Sequence, residues 1–325
     1  MMKRSGFVSV LLCIIMVLGI FSFSVNAVSV SEGDAALRAQ FGSGSGGGLT
    51  YKYFAPELKE GVKYPVVVWL HGIASGNYDG DQLDSYDLCK WASDEYQARF
   101  VNAGGAFILC PRSSGTWDLT DTAAVKNCVE AFVSRYEGYA DRNRIYLMGF
   151  SIGASMTIKT ASDYPGYFAA AVPVSAVDQT AAAGLNGLAV WLFANEKDTY
   201  ISANAAATRS TFNKLASAAS DKSRIRFTAV SQAVDAYGGG VGMQHYMWRT
   251  LTNDMFMADG SEYAYASTED GTGKTIHFTY PDGVINWLSQ QTKATQKTPE
   301  KGESLWEKIV AFFKAFMNAL AKLFG

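Results

Sequence analysis

The chain has 325 residues, 48% of them hydrophobic and 13% aromatic, which is enough apolar material for one α/β domain with a sizeable core. The formal net charge is −2 but unevenly placed, with six Lys against three Glu from Thr292 onward and −7 over residues 28–291, so no basic face suits nucleic acid. Only three His and no Cys-x-x-Cys pair are present, and no metal or cofactor is expected.

Met1 to Ala27 opens with Lys3 and Arg4, runs apolar from Val8 to Phe23 and ends in Val25-Asn26-Ala27. That is the pattern of a cleaved secretory signal, residues 1–27. An uncleaved anchor is the alternative, since Gly6 to Val25 is nearly long enough to span a bilayer. Export would leave Cys89, Cys110 and Cys128, which permit either one disulfide with a leftover thiol or three buried thiols.

Residues 28–49 end in the run Gly42-Ser-Gly-Ser-Gly-Gly-Gly48 and read as a flexible lead-in to a catalytic domain spanning 50–291. Strands are expected at Thr50–Phe54, Pro65–Leu70, Ala106–Cys110, Ile145–Met148, Ala169–Val174, Leu188–Phe193 and Ile225–Val230. Helices are expected at Leu88–Val101, Ala123–Tyr136, Ala154–Ala161 and Ala203–Ala218. Such alternation implies a mostly parallel central sheet with helices on both faces. Gly271-Thr-Gly-Lys-Thr275 superficially resembles a phosphate loop, but Thr268 replaces the first glycine and hairpin-like pieces flank it, so it is a plain turn. Ala258 to Tyr280 reads as an insertion, a candidate pocket flap.

A polar linker, 292–303, precedes an amphipathic tail, 304–325. Apolar residues from Leu305 to Phe324 cover a wide face, whereas Glu307, Lys314, Asn318 and Lys322 fall on one narrow stripe. Such a helix must either dock on a protein surface or lie at a membrane or cell-envelope interface.

The chemistry is written in Gly149-Phe150-Ser151-Ile152-Gly153, which follows an apolar strand and precedes helix-forming sequence. This is the G-x-S-x-G arrangement, in which the serine occupies a strained strand-to-helix turn and the flanking positions must be nearly free of side chain. Ile152 then supplies a backbone N–H at a helix N-terminus for a developing oxyanion. His71-Gly72, just past a strand, suits the oxyanion loop, with the Ile73 N–H as second donor. His245, late in the chain, is the expected base, and His277 lies in an alternating strand-like piece as an ordinary histidine. The acid should follow a strand between them; Asp198 is the choice, then Glu196, with Asp178 and Asp235 more distant alternatives.

Four runs now carry a family resemblance: Tyr64 to Gly72, Arg144 to Gly153, Tyr164 to Pro173 and Trp191 to Asp198. Over about residues 50–290 the chain resembles the α/β-hydrolase fold. More narrowly, it is similar to secreted esterases and prolyl-oligopeptidase-like peptidases related to feruloyl esterases, acetylxylan esterases and polyhydroxybutyrate depolymerases. Pro111, Trp117, His245 and Trp248 match positions of that group, while Ile152 and Ala194-Asn195 depart from its usual small residue and His-Gly. The resemblance implies a secreted serine hydrolase acting on a small-molecule or polysaccharide ester, with Trp117, Trp248 and His71 at the substrate. A secreted peptidase would use the same residues, and a non-catalytic cell-surface binding module on this scaffold would be favoured by a broken triad, whereas the sequence offers an intact one.

Overall fold

A computed structural model of the protein describes residues 32–73, 83, 88–176, 185, 187–199, 204–231, 245, 251, 266–278 and 283–293. The expected signal, Trp248, Asp178, Asp235 and the C-terminal tail lie outside these residues.

In chain order the elements are α1 (Glu32–Ala39), β1 (Gly42–Gly46), β2 (Leu49–Phe54), β3 (Tyr64–Leu70), α2 (Asp94–Ala98), β4 (Phe107–Arg112), α3 (Thr122–Arg135) and β5 (Ala140–Phe150). There follow α4 (Ile152–Asp163), β6 (Ala170–Val174), β7 (Ala189–Asn195), α5 (Ala205–Ala218), β8 (Ile225–Val230), β9 (Ala266–Asp270), β10 (Thr275–Ile276) and α6 (Val284–Ser289). The strands form one sheet in the order β1-β2-β4-β3-β5-β6-β7-β8-β9-β10. From β4 to β8 every neighbouring pair is parallel, and antiparallel strands flank this block on both sides.

Parallel strands covered on both faces have no solvent side, which is why β3, β6 and β7 are buried at every position and read as continuous apolar runs. Side chains alternate between two cores. Val66, Val68 and Leu70 of β3 face the layer of α3, α4 and α5, where Val125, Phe132, Ile158 and Phe212 lie. Val67 and Trp69 face the opposite layer with Leu88, Trp91, Ile285 and Leu288. Each such side chain contributes roughly 1.5–3 kcal/mol by leaving water.

Where the strand order reverses, β3 leads to β4 on one side and β5 lies on the other. The carboxyl ends of β3 and β5 therefore bound the crevice in which open α/β sheets bind ligands. Leu70 pairs with Gly149 in this register, so His71 and Ser151 leave the sheet close together.

Three expectations need correction. The helix expected over Leu88–Val101 is a 3₁₀ segment, Leu88–Ala92, and then α2, because Ser93 adopts an extended backbone and its Oγ accepts the Tyr96 N–H at 3.5 Å. The lead-in expected to be flexible contains α1 and β1, and β1 pairs with β2 over its whole length. Finally, residues 266–276 of the expected flap extend the sheet, β9 pairing antiparallel with β8, and Gly271–Lys274 is the turn between β9 and β10.

Candidate active site

Ser151 directly follows β5 with φ 56° and ψ −120°, a conformation that β-carbon sterics make costly for any L-residue. Its N–H donates to the Val174 carbonyl at 2.9 Å, carrying the β5–β6 ladder one residue past the strand. The neighbouring glycines are required by close approach. A Cβ on Gly149 would stand 2.3 Å from the Gly153 carbonyl oxygen, and one on Gly153 would stand 2.3 Å from the carbonyl oxygens of both Leu70 and His71. The turn thus locks β5, α4 and the end of β3 together, with Ile152 opening α4 as expected.

His245 reaches this serine. Its Nε2 lies 3.0 Å from Ser151 Oγ and its Nδ1 lies 2.7 Å from Asp198 Oδ2. The His245 and Asp198 side chains are 8% and 1% exposed, so the pair is out of bulk water where charge interactions are strongest. Phe150 backs the imidazole, ring centroids 4.8 Å apart. Asp198 is held in a turn past β7, its N–H donating to Asn195 O at 3.0 Å while the Asn195 side chain accepts the Lys197 N–H at 2.8 Å. Glu196, the next candidate for the acid, is exposed, and so is His277.

His71 lies just past β3, and Trp117 lies in the segment after β4. Both are buried, and the Trp117 indole N–H donates to the His71 carbonyl at 2.7 Å with the rings 4.7 Å apart. The Ser113 N–H donates to His71 Nε2 at 3.1 Å, and His71 Nδ1 lies 2.6 Å from the Gly72 carbonyl. That pattern fixes the neutral tautomer protonated at Nδ1. Burial drives the His71 pKa down to about 4; the Gly72 bond opposes this, and the Arg112 charge adds to it. Ile73, whose N–H was expected to be the second donor, is the next exposed residue of this loop. A cleft of about 500 Å³ is lined by Thr50, Arg112, Ser113, Ser114, Trp117 and Asp118 among others.

Comparison with known proteins bears on the fold that carries these residues. A profile of the prolyl oligopeptidase family matches residues 109–224. Probable acetylxylan esterase A of Neosartorya fischeri is 30% identical over 165 residues, 46% of this chain and 40% of that protein. Feruloyl esterase B of Thermothelomyces thermophilus is 29% identical over 180 residues, 50% of this chain and 55% of that protein. The chain thus spans about half, or less, of the length of these curated relatives. Among solved structures, a thermostable esterase superposes with a TM-score of 0.54 at 22% identity, over 79% of this chain and 64% of that one. The chain has the α/β-hydrolase fold.

The structure brings together Ser151, His245 and Asp198, the three residues expected from the sequence, and adds backbone supports at Ser151 and at His71 that the sequence did not signal. Ser113 contributes through its N–H and Val174 through its carbonyl, groups every residue carries, so nothing in the sequence distinguishes them. Ser175, next to Ser151 across the ladder, also holds a positive φ of 52° and donates its N–H to Phe193 O at 2.9 Å; no glycine signalled that turn. Cys89, Cys110 and Cys128 are all buried and no disulfide joins them, which corresponds to the alternative of buried thiols. Burial raises the Cys128 pKa to about 12 and pushes that of Cys110 higher still, so both stay protonated and inert.

Proposed function

We propose that this α/β-hydrolase is a secreted carboxylic-ester hydrolase working through Ser151, His245 and Asp198, with acyl groups on plant polysaccharides as its substrate class. The observation that carries the reading is the bridge made by His245, one ring nitrogen at Ser151 Oγ and the other at Asp198 Oδ2. A neutral imidazole donating to Asp198 has its lone pair turned to the serine hydroxyl. As Ser151 Oγ attacks the acyl carbonyl, His245 takes its proton; it returns that proton to the departing alcohol, and Asp198 stabilises the imidazolium between the two events. Water then repeats the sequence on the acyl-enzyme. The N–H groups of Ile152 and Ile73 hold the oxyanion. The names of the acetylxylan and feruloyl esterases support an ester as substrate. A peptide is the second reading, favoured by the prolyl oligopeptidase match.

Kinetics on a short-chain aryl ester test this assignment. Ser151→Ala and His245→Ala should each lower kcat by about 10⁴-fold or more, with His277→Ala close to wild type. Wild-type turnover in Ser151→Ala, or an essential His277 beside a dispensable His245, would overturn it. Assay of matched ester and peptide substrates separates the two readings.

A further inference from the structure

The loop leaving β3 is tied down at three points by groups that do not touch Ser151, and this restraint asks for a reason. We propose that Trp117 and Ser113, acting on His71, clamp the His71–Ile73 segment so that its backbone donor is fixed where the oxyanion of Ser151 chemistry forms. The proposal rests on Ser151 being the nucleophile. Trp117 and His71 are therefore positioning residues rather than substrate contacts.

The geometry carries it. The His71 carbonyl is held by the Trp117 indole N–H at 2.7 Å, and the imidazole is held on one edge by the Ser113 N–H at 3.1 Å and on the other by its own chain at Gly72 O, 2.6 Å. Two of these three bonds come from the segment after β4, over 40 residues away along the chain, so the restraint exists only in the folded molecule. The clamped carbonyl is also one of the two groups against which Gly153 packs, so the first turn of α4 and the His71 loop cannot shift independently. That coupling matters because one expected oxyanion donor, Ile152, opens α4 and the other, Ile73, lies on the clamped loop. Donors that are already aimed stabilise transition-state charge without reorganising as it appears. His71 is 1% exposed, and Trp117 is 4% exposed with its sole polar atom already bonded; neither offers a free polar group to a ligand. The same arrangement makes the imidazole a one-state element, since a proton on Nε2 would face the Ser113 N–H.

Trp117→Phe keeps a ring in place and deletes the N–H that holds His71 O. On an aryl ester we expect kcat to fall about 10-fold or more with KM within about twofold, because only transition-state binding is lost. Affinity for an alkyl boronic acid, whose tetrahedral adduct puts an oxygen at the oxyanion position, should fall by the same factor as kcat/KM. A role in folding alone would lower the melting temperature and leave these constants unchanged in the folded protein. A raised KM with unchanged kcat would make Trp117 a substrate contact and overturn the proposal, as would boronate affinity that does not follow kcat/KM. If Trp117→Phe does not fold, His71→Phe, which keeps a ring but removes the acceptor for the Ser113 N–H and the bond to Gly72 O, carries the same test. A fluorophosphonate that labels the wild type but not Ser151→Ala keeps the two readings apart. With Ser151 labelled and essential, wild-type kinetics in Trp117→Phe sink the clamp alone; with Ser151 dispensable, the site assignment and the clamp fall together.

Discussion

His71 is a histidine whose folded environment admits only one charge state, and that has a thermodynamic signature. Its pKa is held at about 4 in the folded protein against 6.5 for a free histidine. Between those values the unfolded chain binds a proton that the folded protein refuses, so stability falls as pH drops through 6.5 and levels off below about 4. Integrated from pH 8 to pH 5, the loss is about 2 kcal/mol. Comparing melting curves of the wild type with His71→Gln isolates this contribution from carboxylates that titrate nearby. The wild type should lose about 2 kcal/mol more than the variant over that interval, and parallel pH profiles would show that His71 is free to ionise. At this scale the sequence was most legible where a side chain carries the proposed chemistry. Ser151, His245 and Asp198 are announced by residue type, strand context and chain order. Trp117 was less legible, because a tryptophan near a strand end has the same letters whether it stacks on a ligand or braces a loop.

Elements were legible in proportion to how completely they are buried. The runs at β3, β6 and β7 announced themselves because both faces of a parallel strand must be apolar, whereas β9, Ala-Ser-Thr-Glu-Asp, carries no hydrophobic signal and joins the sheet through its backbone. The case of β1 is different. Gly42-Ser-Gly-Ser-Gly46 has a period of two, with half-buried glycines and exposed serines, which is the strand period written in residue size instead of hydrophobicity. Tyr51 and Tyr53 of β2 lie across those glycines; a Cβ on Gly44 would stand 2.5 Å from the Tyr51 ring, and one on Gly42 would stand 2.8 Å from that of Tyr53. Gly44→Val should therefore force the rings aside and cost about 1–3 kcal/mol in chemical denaturation, the usual range for overpacking. Ser43→Val, on the exposed face, should change the midpoint little, its loss being the surface bond from Lys52 to Ser43. Equal midpoints for the two variants would mean that β1 does not pair in this register. The expected single helix at Leu88–Val101 failed for the opposite reason: its apolar spacing is helical, but one serine side chain competed for the backbone at Ser93.

The whole molecule adds a question of location. Among the described residues no helix is long and apolar enough to cross a membrane. Residues 28–291 carry −7, and a surface of that sign is repelled by anionic lipid within a Debye length. The tail from 304 to 325 opposes this with Lys308, Lys314 and Lys322 against Glu307, and the helix expected from its sequence would carry Trp306, Phe312, Phe313 and Phe316 on one wide apolar face. Burying such a face in the headgroup region gains roughly 25 cal/mol per Å², which needs only a few hundred Å² to outweigh the repulsion. The expected outcome of deleting residues 304–325 is an enzyme that hydrolyses a soluble aryl ester at the full-length rate but no longer cosediments with phosphatidylglycerol-containing vesicles. Salt should weaken the binding of the full-length protein only in part, since the apolar contribution is not screened. If the two proteins sediment alike and the shortened one melts at a lower temperature, the helix packs on its own domain, and the interfacial reading of the tail is wrong.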